Sequence, residues 1–84
     1  MLHELKIDVA FADAVVSGDK TFEVRKNDRG FQKGDHVRFQ AVEDYWRHPA
    51  HHKINSREYE VTYVLSGWGL KDGYVVFGMR EVTG

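Results

Sequence analysis

Residues 20–26 read KTFEVRK, inside the longer stretch SGDKTFEVRKNDRG of residues 17–30. Phe22 and Val24 fall on one face of this run, and Thr21, Glu23 and Arg25 on the other. That is the period of an extended strand with one buried side. The expectation is that the two apolar residues enter the core while the charged ones face a shared hollow. Gly18 supplies, just upstream, the left-handed residue that commonly ends a helix. Asn27, Asp28, Arg29 and Gly30 are turn formers just downstream.

The same two periodicities organise the chain on either side. Leu5, Ile7 and Val9 alternate with Glu4, Lys6 and Asp8, predicting a first strand over His3–Val9. Asp8 is a suitable N-cap, and Phe11, Ala14 and Val15 repeat at helical spacing, so a short helix follows and stops at Gly18. Downstream, Gly34-Asp35 leads into HVRFQAV, where Val37, Phe39 and Ala41 share a face. Tyr59, Val61, Tyr63 and Leu65 then alternate with polar residues, and Tyr59 and Tyr63 read as core. A glycine-rich turn, SGWGLKDG, delivers a last strand over Tyr74–Val82 with Val75, Phe77 and Met79 on one face. The fold class is mainly β with one short helix, a single domain over residues 1–84. Five short strands are best protected by curling into a barrel, because closure removes exposed edges; an open sheet covered by the helix is the alternative.

Composition limits the function. The chain has 84 residues and no Cys, which excludes a disulfide framework, a thiolate metal site and a Cys nucleophile, and points to a reducing compartment. No apolar run approaches the roughly 20 residues of a membrane span, and MLHELKID lacks the apolar centre of a signal peptide. A cytoplasmic protein without membrane contact is expected. A net charge of −1 argues against coating nucleic acid by bulk electrostatics. Charge is uneven, however: Tyr45 to Arg57 carries Arg47, Lys53 and Arg57, three His and no acid.

Gly18, Lys20, Glu23 and Arg25 form the pattern G-x-K-x-x-E-x-R, placed after a helix and opening a strand. This resembles the signature of the ASCH superfamily, whose members have a PUA-like β-barrel. Asn27-Asp28-Arg29, the opening His3-x-Leu5-Lys6 and Gly34-Asp35 are similar to a short bacterial and phage branch of it. The likeness is firm from about His3 to Val42 and looser from Arg57 to Arg80. It implies a five-stranded PUA-like barrel with a cleft between helix and barrel, in a superfamily associated with RNA or nucleotide binding. Some relatives hydrolyse an acetylated cytidine with a Lys, a Thr and a Glu. Lys20 matches that lysine, but Glu23 holds the position of the threonine. Thr21, two residues earlier on the same face, is the nearest hydroxyl, and Glu58 and Glu60 stand where a later glutamate would be sought.

Lys20, Glu23 and Arg25 are therefore the expected floor of a ligand site, with Lys6, Asn27 and Arg29 at its rim. On a solvated face the same charges would be only an ion-pair network, each pair contributing about 0–1 kcal/mol. Tyr45, Trp46 and Trp68 are candidate stacking residues for exposed bases, with Arg47 and Lys53 of the same loop as Tyr45 and Trp46 meeting phosphate, set against the plainer expectation that Trp46 packs on the barrel and Trp68 lids the core. His48, His51 and His52 are spaced poorly for a metal, with Pro49 between them, and a mobile loop is expected there. His3 shares the face of Leu5 and reads as a hydrogen-bonded core histidine. No cofactor is implied, and a monomer is assumed. RNA or a modified nucleotide is the leading partner. A small amidohydrolase using Lys20, Thr21 and Glu23 is the second reading, and a protein-interaction module using the Tyr-Trp-Arg loop the third.

Overall fold

The computed structural model describes residues 1–83. Strand β1 (Leu2–Asp8) runs into helix α1 (Val9–Ser17), followed by β2 (Phe22–Lys26), β3 (His36–Glu43), a two-residue β4 (His48–Pro49), β5 (Glu58–Ser66) and β6 (Tyr74–Glu81), with a 3-10 turn at Lys53–Ser56. The helix begins and ends as its sequence dictates. Asp8 Oδ1 accepts from the Ala10 N–H at 3.0 Å, and Gly18 closes the other end at φ 88°. A side chain at that φ would be strained, which is why glycine stands there.

One mixed sheet has the order β1-β3-β5-β6-β2, with β4 pairing to the end of β3. β1 lies parallel to β3, Leu2 opposite His36 through Asp8 opposite Val42, so α1 and β2 together form the crossover between them. All other pairings are antiparallel. The mainly-β class and the five long strands are as the sequence predicts. Barrel closure is not: no backbone ladder joins β1 to β2. The two end strands instead meet through side chains. The Arg25 guanidinium donates to the Lys6 carbonyl, and Arg29 Nη1 donates to the Glu4 carbonyl at 3.1 Å. Those two carbonyls lie two residues apart on β1 and point the same way, so the arginines occupy the acceptors that a neighbouring strand would have used.

The core lies inside the curl. Leu5 and Ile7 of β1, Val37, Phe39 and Ala41 of β3, Val61 of β5 and Val75, Phe77 and Met79 of β6 are buried with Ala12 and Val15 of the helix. His3 is buried beside them, its ring 4.7 Å from Phe31 and its Nε2 2.8 Å from Asp35 Oδ2. The core-histidine expectation is met. Burial tends to raise the Asp35 carboxyl, but hydrogen bonds from His3 and the Gln32 N–H outweigh it and hold Asp35 below the ordinary carboxylate range.

Four expectations about packing fail. Phe22 and Val24 are 44% and 49% exposed while Glu23 is only 5% exposed, so β2 is turned the opposite way from its hydrophobic pattern. Tyr63 is exposed because β5 carries a bulge between Val61 and Tyr63: Val61 pairs with Met79 and Tyr63 with Gly78, and the extra residue shifts the alternation so that Val64 packs on the core instead. The segment read as a mobile loop is a tight β3–β4 hairpin. Asp44 and Arg47 adopt positive φ at its turn, Asp44 Oδ1 accepts from the Trp46 N–H at 2.8 Å, and Ile54 anchors the following 3-10 turn in the core. Neither tryptophan takes its plainer role: Trp46 and Trp68 are both exposed. Among the described residues, no helix is long and apolar enough to cross a membrane.

Two measurements test this packing. A Cβ at Gly78 would stand 2.9 Å from Thr62 Oγ1, the bulge residue's own side chain. Gly78→Ala is expected to lower urea stability by about 2 kcal/mol, and Thr62→Ala in the same chain to restore part of it. Because Asp35 titrates below its ordinary value of 3.8, its contribution is complete above that pH and disappears as the pH falls through the folded-state value. The stability gap between wild type and Asp35→Ala should therefore be constant near neutrality and shrink in acid.

Candidate functional site

A cleft of about 770 Å³ opens where β1, α1 and β2 converge. Its walls are the end of β1 (Lys6, Ile7, Asp8), the helix (Phe11, Ala14), the connection Asp19–Lys20, and β2 from Phe22 to Lys26, with Tyr74 of β6 and Arg47 of the hairpin completing the rim. The cleft thus occupies the seam that backbone pairing leaves open.

An ion triad forms its floor. Glu23 is buried on β2; its Oε1 accepts from the Lys20 ammonium and its Oε2 from Arg25 Nε at 2.7 Å. Lys20 Nζ also donates to the Phe22 carbonyl at 2.8 Å and sits 5.5 Å and 5.2 Å from the Phe11 and Phe22 ring centres, within cation–π range of both. Arg25 carries on to the Lys6 carbonyl. One carboxylate thus fixes two cations, and one of those cations fixes the seam. The triad also explains why β2 is turned over. A carboxylate with both oxygens paired to cations has its desolvation compensated, and Phe22 and Val24 retain apolar contact at the cleft mouth.

The structure brings together Lys6, Lys20, Glu23 and Arg25 of the residues singled out in the sequence. Others lie elsewhere. Asn27 is a turn residue: its Oδ1 accepts from the Phe31 N–H at 3.0 Å and its own N–H donates to the Gly73 carbonyl at 2.7 Å. Arg29 stitches the seam at Glu4, and Thr21 is exposed, outside the cleft lining. Tyr45, Trp46 and Trp68 are exposed and do not line it either. The histidines have local work: His48 Nδ1 lies 2.8 Å from Asp44 Oδ2, and His52 Nε2 lies 2.7 Å from Asp13 Oδ1. Among the described residues, no three His, Asp or Glu converge as a metal cage.

Sequence reasoning missed Phe11, Phe22, Lys26 and Tyr74, and it offered Arg47 as a phosphate contact of the loop without placing it at the cleft. Periodicity puts Phe22 on the apolar face of its strand and Phe11 in the apolar repeat of the helix, yet both are exposed enough to offer ring faces to the cleft. A signal for the inversion was present. Glu23 has a cation three residues before it and another two after, so its charge can be neutralised locally wherever it points. No spacing could have placed Arg47 here, because only the hairpin carries it back to β1 and β2. Five cations line the cleft against three carboxylates, on a chain whose net charge is −1. Lys6, Lys26 and Arg47 make no ion pair among the described residues.

Residues 2–79 match the model of a family described as a domain of unknown function, DUF3850, and the chain belongs to that family. No curated protein matches the chain.

Removing Glu23 leaves two partly buried cations facing each other without their counter-charge, which in comparable sites costs about 3 kcal/mol or more. Glu23→Ala is expected to lower urea stability by about that amount, and Glu23→Gln, which keeps an acceptor, by less. Wild-type stability in Glu23→Ala would show that the triad does not organise this end of the sheet.

Proposed function

We propose that the protein binds RNA or a nucleotide in the cleft between α1 and β2, without catalysing a reaction on it. One observation carries this reading: three cations that make no ion pair among the described residues, Lys6, Lys26 and Arg47, surround a cleft large enough for a small ligand and walled by the exposed rings of Phe11 and Phe22. Phosphate oxygens suit the cations, and the face of a base suits the rings. Lys20, Glu23 and Arg25 serve as a fixed floor in which one carboxylate holds two cations, leaving one net positive charge beneath the cationic rim. The G-x-K-x-x-E-x-R pattern of Gly18, Lys20, Glu23 and Arg25 supports placing the family as a branch of the ASCH superfamily with a PUA-like sheet, and the association of that superfamily with RNA and nucleotides supports the same ligand class.

The amidohydrolase reading has less support. A general-base lysine must be free to take a proton, whereas Lys20 Nζ already donates to Glu23 and to the Phe22 carbonyl. The hydroxyl it would activate, on Thr21, lies outside the cleft lining.

Fluorescence anisotropy with a labelled short single-stranded RNA at two salt concentrations tests the proposal. Binding is expected to weaken with salt, and Lys26→Ala and Arg47→Ala each to reduce affinity and lower the salt slope by roughly one. Absence of binding at low salt, or binding indifferent to both substitutions, overturns it.

A further inference from the structure

The β3–β4 hairpin presents two adjacent aromatic side chains to solvent, Tyr45 at 87% and Trp46 at 75% exposure. The turn that carries them is closed by its own hydrogen bonds. Asp44 Oδ1 accepts from the Trp46 N–H at 2.8 Å, Asp44 Oδ2 lies 2.8 Å from His48 Nδ1, and Asp44 and Arg47 both hold positive φ. The two rings meet at 90° with centroids 4.9 Å apart, an arrangement that leaves ring face uncovered. Arg47, the next residue, lines the cleft. A phosphate-seeking side chain therefore links the cleft directly to a preorganised aromatic platform.

We infer that the ligand of the cleft is a single-stranded RNA of at least two nucleotides, with one base against Phe11 and Phe22, the connecting phosphate at Arg47, and the next base stacked on Trp46. The inference rests on the nucleotide-binding reading of the cleft and extends it to substrate class. Charge complementarity favours this occupant. From Tyr45 to Arg57 the chain carries Arg47, Lys53 and Arg57 and no acid. Asp44 just before is engaged by Trp46 and His48 and Arg57 pairs with Glu81, so Arg47 and Lys53 are left to meet the phosphates of a nucleic-acid strand. Alternating cation and ring is the arrangement that binds unpaired strands, whose bases are free to leave their neighbours and stack on protein. A duplex keeps its bases paired and withholds them from Trp46.

The test titrates the full chain with adenosine 5′-monophosphate, a ten-nucleotide oligoadenylate, and the same oligomer paired with oligouridylate. Trp68→Phe makes Trp46 the sole tryptophan, since the chain has two. The single strand is expected to quench Trp46 emission while the mononucleotide does not. Trp46→Ala is expected to cost the single strand about tenfold in affinity while changing mononucleotide affinity less than twofold. Duplex binding as tight as single-strand binding overturns the inference. So does single-strand affinity unchanged in Trp46→Ala while Lys26→Ala still weakens it, a result that leaves the cleft as a nucleotide site. Absence of binding by all three ligands overturns the cleft reading as well.

Discussion

The guanidinium of Arg25 holds this structure together at its weakest place. The sheet has two ends, β1 and β2, and no ladder between them; Arg25 reaches from β2 to the Lys6 carbonyl while pairing its Nε with Glu23. Arg29 repeats the reach at Glu4. An unpaired strand edge in a small protein invites other chains, and in an 84-residue domain with little core to spare a frayed end would unravel much of the fold. Two arginines do at the seam what hydrogen-bonded strands do elsewhere, and they leave space between the strands that a ladder would fill.

That space is why the strand opposes its own hydrophobic pattern. Alternation decides orientation when one face meets apolar core and the other meets water. At β2 neither face meets those conditions cleanly. The inward face opens on the seam, where an ionised group is tolerable provided it is paired, and Glu23 arrives between Lys20 and Arg25. The outward face keeps Phe22 beside Lys20 and Phe11, where the ring stays in contact with protein although half exposed. Pairing of the Glu23 carboxylate with two cations thus outweighs the modest gain of burying one Phe and one Val at a sheet edge, and the result is a cleft with an ion-paired floor and a cationic rim.

Much of this was legible in sequence where a single physical rule governed. The caps of α1 at Asp8 and Gly18, the inward faces of β1, β3 and β6, and the buried His3 follow from spacing and burial alone, because each element has one apolar face and one neighbour to bury it against. The site was legible in part: Lys6, Lys20, Glu23 and Arg25 do converge. What escaped depended on tertiary placement. The β5 bulge, which exposes Tyr63, answers to Gly78 on the neighbouring strand, a glycine that has Thr62 Oγ1 where its side chain would be. Asn27 and Arg29 share the signature stretch but serve the turn and the seam. The hairpin was hidden by its polar, histidine-rich composition, which resembles a loop until Asp44 is seen to hold both Trp46 and His48.

The open seam and the exposed hairpin belong to one design constraint. A closed small barrel fills its interior with side chains and has no internal room for a ligand, so a binding site must lie outside it or at a break. Here the break is bounded by elements that are each fixed independently: α1 by its caps, β2 by the triad, and the hairpin by the Asp44 clasp. Burial of the Glu23 carboxylate carries a desolvation cost that its two cations offset, and in return it anchors β2, one of the two end strands that have a ladder on one side only. A site walled by such preorganised pieces loses little conformational freedom when a ligand arrives. Under the nucleic-acid reading proposed above, such a site meets its ligand through several modest contacts without first having to order its own walls.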